Sequence, residues 1–139
     1  WWGNMITCES WKHFWLNEGF ATFMSAAYNE HRFGQEKYQA NINAYFEVYK
    51  KIKAKGNDKP LVFKQWSNPS GDDRSLVYFK GAYVLHLLRK ELGDALFWKG
   101  IKSYTQTYYG QSVTTKDFQL AMEKSSGQSL ENFFNEWVY

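Results

Sequence analysis

Five glycines cut this chain into segments whose apolar residues recur at the period of a helix, and that punctuation leaves little room for a sheet. Leu16, Phe20, Phe23, Met24 and Ala27 share one face of a first helix predicted from about Phe14 to Glu30 or His31, which Gly34 ends. Tyr38, Ile42, Tyr45, Phe46, Tyr49 and Ile52 keep the same period over Gln35 to Ala54, with lysines in the last turn and Gly56 beyond. A third helix from about Arg74 to Leu92 is apolar almost all round (Leu76, Val77, Phe79, Ala82, Val84, Leu85, Leu87, Leu88), so it reads as the central buried one, closed by Gly93. Asp94 is expected to cap a fourth helix that carries Phe97, Ile101, Tyr104 and Tyr108 and ends at Gly110. Thr114 with Asp117 three residues on forms a near capping box for a fifth, with Phe118, Ala121 and Met122 inside and Gly127 after it. Ser129 is expected to cap a sixth, bearing Leu130, Phe133, Phe134 and Trp137. The expectation is an all-α fold, a compact array of six helices joined mostly by short turns.

Two stretches interrupt the pattern. Residues 1 to 14 carry Gly3 and Asn4, read as a turn following a helix whose body lies upstream. Gly56 to Asp73 is irregular, a length of loop that in a compact domain is often functional or contains a short strand such as Leu61-Val62-Phe63. Asp72, Asp73 and Ser75 offer caps and first-turn negative charge for the third helix.

Composition narrows the function classes. Aromatic residues make up 20% of the 139 residues, which calls for packing against something large, either the chain's own core or a missing partner half. A net charge of +3 with one small lysine cluster at Lys50-Lys51, Lys53 and Lys55 gives nucleic acid binding little support. One cysteine, Cys8, excludes an internal disulfide framework and reads as a small, partly buried core residue rather than a nucleophile. No apolar run approaches the ~20 residues a membrane-spanning helix needs. A chain that opens on Trp1-Trp2 and stops at Trp137-Val138-Tyr139 while still apolar is expected to be an excised segment.

Two polar residues stand out against this background. Glu18 lies outside the apolar face of the first helix yet among aromatic residues, where a carboxylate is costly unless something cationic meets it; an exposed first-turn acid complementing the helix dipole is the plainer alternative. Tyr78, in Tyr78-Phe79-Lys80-Gly81, is a phenol near a helix start that stays protonated at neutral pH and can donate a hydrogen bond to an oxyanion, although a tyrosine in so aromatic a chain more commonly just packs. Gly81 would let another backbone come close. His13, five residues before Glu18, diverges from it by about 140° on a helix, so it reads as a packed or hydrogen-bonded helper rather than a shared ligand. Thr22, one turn beyond Glu18, and Asn17 beside it are candidate supporting partners of the Glu18 carboxylate. His86 among leucines reads as a satisfied core histidine.

The runs Trp1-Trp2-Gly3-Asn4, Trp15-Leu16-Asn17-Glu18-Gly19-Phe20-Ala21 and Tyr78-Phe79-Lys80-Gly81 together resemble the gluzincin aminopeptidases of family M1. There H-E-x-x-H is followed by W-(W/F)-G-N and, after a fixed interval, W-L-N-E-G-F-A. The resemblance covers essentially the whole chain, with the part after Leu92 merely consistent with it. It implies the helical subdomain of a thermolysin-like metallopeptidase catalytic domain, residues 1–139 forming a single partial domain that begins just after the two histidines and the catalytic Glu. In the full-length protein it implies zinc held by two upstream histidines and Glu18, water activated by the metal, Tyr78 steadying the tetrahedral intermediate, and a peptide substrate losing its N-terminal residue. It also implies that the isolated chain, with one of three zinc ligands, no general base and no clamp for the substrate amine, is inactive, binds zinc weakly if at all, and exposes Trp1, Trp2 and the first helix to self-association. Two alternatives stay open: a non-catalytic helical interaction module of an M1-like scaffold, and an epoxide hydrolase of the branch hinted at by His13-Phe14-Trp15.

Overall fold

The computed structural model describes residues 2–139, and Trp1 lies outside them. Two long antiparallel-connected helices, α2 (Trp15–Phe33) and α3 (Gln35–Ala54), follow a short α1 (Trp2–Met5), a two-residue strand β1 (Thr7–Cys8) and a 3-10 turn (Trp11–His13). After an irregular loop come α4 (Gly71–Ser75), a π-helical turn (Leu76–Lys80) and α5 (Gly81–Leu92), which run on as one continuous rod. Then follow α6 (Asp94–Tyr108), a two-residue strand β2 (Ser112–Val113), α7 (Thr115–Ser126) and α8 (Glu131–Trp137). The fold is all-α, and the six expected helices are all present.

The differences from expectation have local causes. The residues around Gly3 and Asn4 wind into α1 instead of a plain turn. β1 pairs in parallel with β2, Thr7 opposite Ser112 and Cys8 opposite Val113, fastening the start of the chain to the segment before α7. Leu61-Val62-Phe63 forms no strand: Leu61 is fully buried, but among the described residues the only backbone bond across this segment runs from the Val62 N–H to the Val138 carbonyl, so no ladder forms. Ser70, not Asp72 or Ser75, caps α4, in a reciprocal box with Asp73. Asp94 sits just inside α6 and gives its carboxylate to Arg89 instead of capping. Leu130 rather than Ser129 occupies the cap position of α8. The Thr114–Asp117 box is formed as expected.

The aromatic residues pack into the chain's own core. Phe20, Tyr104 and Phe118 meet with ring centroids 5.0 to 5.8 Å apart, and Trp15 closes edge-on against Phe118. Trp2, expected to be exposed, stacks on Phe20 at 5.0 Å and is half-buried; the open aromatics among the described residues are Trp11, Tyr28, Phe33, Tyr78, Tyr109 and Tyr139. At the other end of α2, the buried Arg89 guanidinium forks onto Glu30 at 2.6 and 3.1 Å and onto Asp94 at 2.8 Å twice, with the Tyr38 and Trp98 rings on its faces. This joins the ends of α2 and α5 to the start of α6 through charge-assisted bonds. His86, hydrogen-bonded to the Tyr38 hydroxyl at 2.8 Å, is a satisfied core histidine.

α2 and α5 approach backbone to backbone. A Cβ on Gly19 would lie 3.0 Å from the Gly81 backbone, and one on Gly81 would lie 3.0 Å from the Gly19 Cα. Two glycines face each other, and nothing larger fits without the helices separating.

Two outcomes follow from this packing. Gly19→Ala should destabilise the fold by about 1–3 kcal/mol through overpacking against backbone that cannot yield. Gly71→Ala, where an added Cβ meets nothing within 4 Å, should not. Matched urea midpoints for Gly19→Ala and wild type would show that the crossing is looser than described. The second concerns pH. Burial lowers the His86 pKa to about 4, helped by Lys90 and Arg89, and burial likewise lowers that of His13. Both rings are therefore neutral when folded. Below about pH 6.5 the unfolded chain takes up protons that the folded one refuses, and stability falls until the folded values are passed. For His86 the loss is on the order of 2–3 kcal/mol between pH 7 and 4. Urea titrations across that range should show the slope, and His86→Gln should flatten it.

Candidate active site

Glu18 lies in the first turn of α2, where the helix dipole favours an anion. It is half-buried, and no ion pair among the described residues uses it. Such a carboxylate is open to a cation brought from outside the chain.

Its sequence neighbours fix the turn that carries it. The Asn17 side-chain oxygen accepts the Cys8 N–H at 3.0 Å, and Gly3 packs so closely that a Cβ there would come 2.8 Å from the Asn17 amide. Asn17 thus fastens α1 and β1 to the start of α2. The Thr22 hydroxyl donates to the Glu18 backbone carbonyl at 2.7 Å, and Tyr45 donates to the Thr22 carbonyl at 3.3 Å. Thr22 therefore braces the helix at Glu18, its hydroxyl spent on the main chain.

His13 is held in the core. Its Nδ1 accepts the Thr115 N–H at 3.2 Å and lies 2.9 Å from the Thr115 hydroxyl, which in turn accepts the Trp15 indole N–H at 3.0 Å. With Nδ1 an acceptor, the proton of the neutral ring sits on Nε2, which is buried without a partner. The Cys8 thiol is pushed up by burial, with the Glu18 charge adding to that, which keeps it protonated and unsuited to nucleophilic attack.

Tyr78 reaches the same place from the other helix. It stands in the π-helical turn, three residues before the Gly81 that touches Gly19. Lys80 anchors this turn: its buried ammonium donates to Asp58 and to the Lys59 carbonyl, both at 2.8 Å, and lies 5.3 Å from the centre of the Tyr49 ring. The Tyr49 hydroxyl donates to Asp58 at 2.9 Å, and Lys59 is ion-paired with Asp73. With Lys80 fixed inward, Tyr78 is left at the surface, 37% exposed. Burial raises its pKa, and the Glu18 carboxylate, as acceptor and as negative charge, raises it further against a smaller opposing effect of Arg74. The two residues singled out from the sequence, sixty positions apart, therefore stand near enough for the Glu18 charge to act on the Tyr78 phenol.

Beside Tyr78 opens a cleft of about 340 Å³ lined by Trp11, Phe14, Trp66, Pro69, Arg74 and Tyr78. Sequence reasoning missed it, along with the π-helical turn and the anchoring role of Lys80. The available signal was an arginine one turn before Tyr78. A polar cleft of about 390 Å³ at the α5–α6 corner shares no residue with this site and is floored by the Arg89 network.

The described residues do not by themselves make a metal centre. No three of their His, Cys, Asp or Glu side chains converge as a ligand set, and a single carboxylate cannot supply a four-coordinate site. What the arrangement offers is one anionic donor and, next to it, a hydrogen-bond donor suited to an oxyanion.

The peptidase family M1 domain matches residues 1–137. Aminopeptidase M1-C of Oryza sativa subsp. japonica is 30% identical over 99% of this chain, and aminopeptidase N of Lactococcus lactis subsp. lactis is 28% identical over 99%. The chain spans only 16% and 17% of those relatives' lengths. Among solved structures, an M1 zinc metallopeptidase from Deinococcus radiodurans superimposes with a TM-score of 0.78 at 26% identity, over 99% of this chain and 30% of that one. A two-domain M1 zinc metallopeptidase variant bound to L-tryptophan superimposes with a TM-score of 0.80 at 27% identity, over 99% and 30%.

The pairing of the two residues has a direct readout. Glu18→Gln removes the charge that helps hold the Tyr78 proton, so the Tyr78 pKa should fall. Carbon-13 NMR titration of the labelled tyrosine rings checks this; an unmoved Tyr78 would mean that the two side chains do not face each other.

Proposed function

This chain belongs to peptidase family M1, and from that premise we propose that it forms the helical part of a zinc-dependent aminopeptidase that removes N-terminal residues from peptides. The observation that supports the reading is the close Gly19–Gly81 backbone contact, which brings Glu18 and Tyr78 into each other's electrostatic field. Packing alone requires neither side chain, and a half-buried acid without a cation is a poor choice for stability alone.

In this reading Glu18 contributes one anionic ligand, and the remaining ligands, the general base and the clamp for the substrate amine come from a preceding segment of the full-length protein. Zinc, when bound there, supplies Lewis acidity that makes water acidic enough to serve as a nucleophile near neutral pH. This chain's own part is positional and electrostatic. α2 holds the Glu18 carboxylate in place, braced through Asn17 and Thr22. Tyr78 keeps its proton on the phenol oxygen and donates a hydrogen bond to the oxyanion that forms as the scissile carbonyl becomes tetrahedral. Because the phenol pKa is raised, the donor persists throughout the neutral range. The His13 bonds to Thr115 give that residue a packing role. By itself the 139-residue chain would lack activity, and its open aromatics, Tyr28 and Phe33 among them, would favour self-association.

The test uses the full-length protein, with hydrolysis of an aminoacyl arylamide and metal content as readouts. Glu18→Gln should lose zinc. Tyr78→Phe should retain it while kcat falls by roughly 10²–10³, the range for loss of one oxyanion donor. Wild-type turnover in Tyr78→Phe would remove that residue from the mechanism. A zinc-loaded full-length protein that cleaves no peptide would favour the interaction-module reading instead.

A further inference from the structure

We infer that the cleft formed by Trp11, Phe14, Trp66, Pro69, Arg74 and Tyr78 receives the leaving-group side of a peptide substrate and that Arg74 selects for a carboxylate there. This rests on the aminopeptidase reading above and adds a specificity to it.

Position comes first. The cleft shares Tyr78 with the candidate active site, so whatever fills it lies within a residue or two of the bond being cleaved. Its walls are aromatic and braced: Phe14 meets Trp66 edge-on at 5.3 Å, Trp11 meets Phe14 at 5.0 Å, and Phe63 stacks behind Trp66 at 4.9 Å. At about 340 Å³ the space is at the small end of ligand pockets, suited to one or two amino-acid residues.

Charge decides which part of the substrate enters. Arg74 is the only charged side chain in the lining, is exposed, and forms no ion pair among the described residues. The acids beside it in sequence are already engaged, Asp73 with Lys59 and the Ser70 N–H, Asp72 with Lys55 and Asn57, and in the proposed reading Glu18, on the far side of Tyr78, is committed to the metal. A free guanidinium repels the substrate's α-ammonium, so the amino-terminal residue must lie on the other side of Tyr78. The portion after the scissile bond remains, and the planar fork of Arg74 fits a carboxylate on it with two parallel hydrogen bonds. That carboxylate is either the C-terminus of a short peptide or an acidic side chain.

Two substrate pairs given to the full-length enzyme separate these sources: Ala-Phe against Ala-Phe-amide, and Ala-Phe-Asp-amide against Ala-Phe-Asn-amide. The wild type should prefer the charged member of at least one pair by roughly tenfold in kcat/KM, expressed mainly in KM, as for a charge-assisted hydrogen bond. Arg74→Ala should bring that ratio close to one, Arg74→Lys should keep part of it, and Arg74→Glu should invert it. A wild type that cleaves both members of both pairs equally well overturns the inference and leaves the aminopeptidase reading standing. A preference that survives Arg74→Ala overturns it too. An enzyme that cleaves none of the four defeats the reading itself, and this specificity with it.

Discussion

The approach of Gly19 to Gly81 sets the geometry on which the rest of the site depends. Helices with ordinary side chains at a contact keep their axes 8–10 Å apart, and two facing glycines allow the backbones to come nearer. Glu18 precedes one of these glycines and Tyr78 lies almost a turn before the other. Closing the glycines together therefore brings the carboxylate and the phenol into each other's field. The π-helical turn belongs to the same device. It widens the rod just ahead of Gly81 and sets the side-chain phase so that Lys80 points inward and Tyr78 remains at the surface.

The way charges are partnered separates scaffold from site. Arg89 is neutralised by Glu30 and Asp94 and sandwiched by aromatic rings, and Lys80 is satisfied by Asp58 and a main-chain carbonyl. Those buried cations hold helices in register; removing either would strand an acid in poorly solvated surroundings. Glu18 and Arg74 are different. Each is left without an opposite charge among the described residues, and each flanks Tyr78. A fold that saturates its buried ions and leaves these two open concentrates its unspent electrostatics around a single phenol.

Much of this was legible from the residues themselves. Helical periodicity between glycines gave six helices because in an all-α fold each element's pattern and stop signals are local. Thr114 and Asp117 announced their capping box for the same reason. Glu18 and Tyr78 were nameable because a polar group among aromatics is anomalous within a short window of sequence, and motif spacing tied them to one family. The missed features all depend on distant partners. Leu61-Val62-Phe63 looked like a strand but found no neighbouring strand to pair with, and Asp94 looked like a cap until Arg89 claimed its carboxylate.

By itself, then, the sequence determined the class of fold, the order of the helices and the two side chains on which the proposed mechanism rests, since short-range chemistry encodes all three. Only the tertiary structure decided that those side chains come into each other's field, that Lys80 pins the turn carrying Tyr78, and that an aromatic cleft with one unpaired arginine opens alongside. Each of these is a contact between residues far apart in the chain, and its existence depends on two backbones passing closely enough at Gly19 and Gly81, which no local pattern can specify.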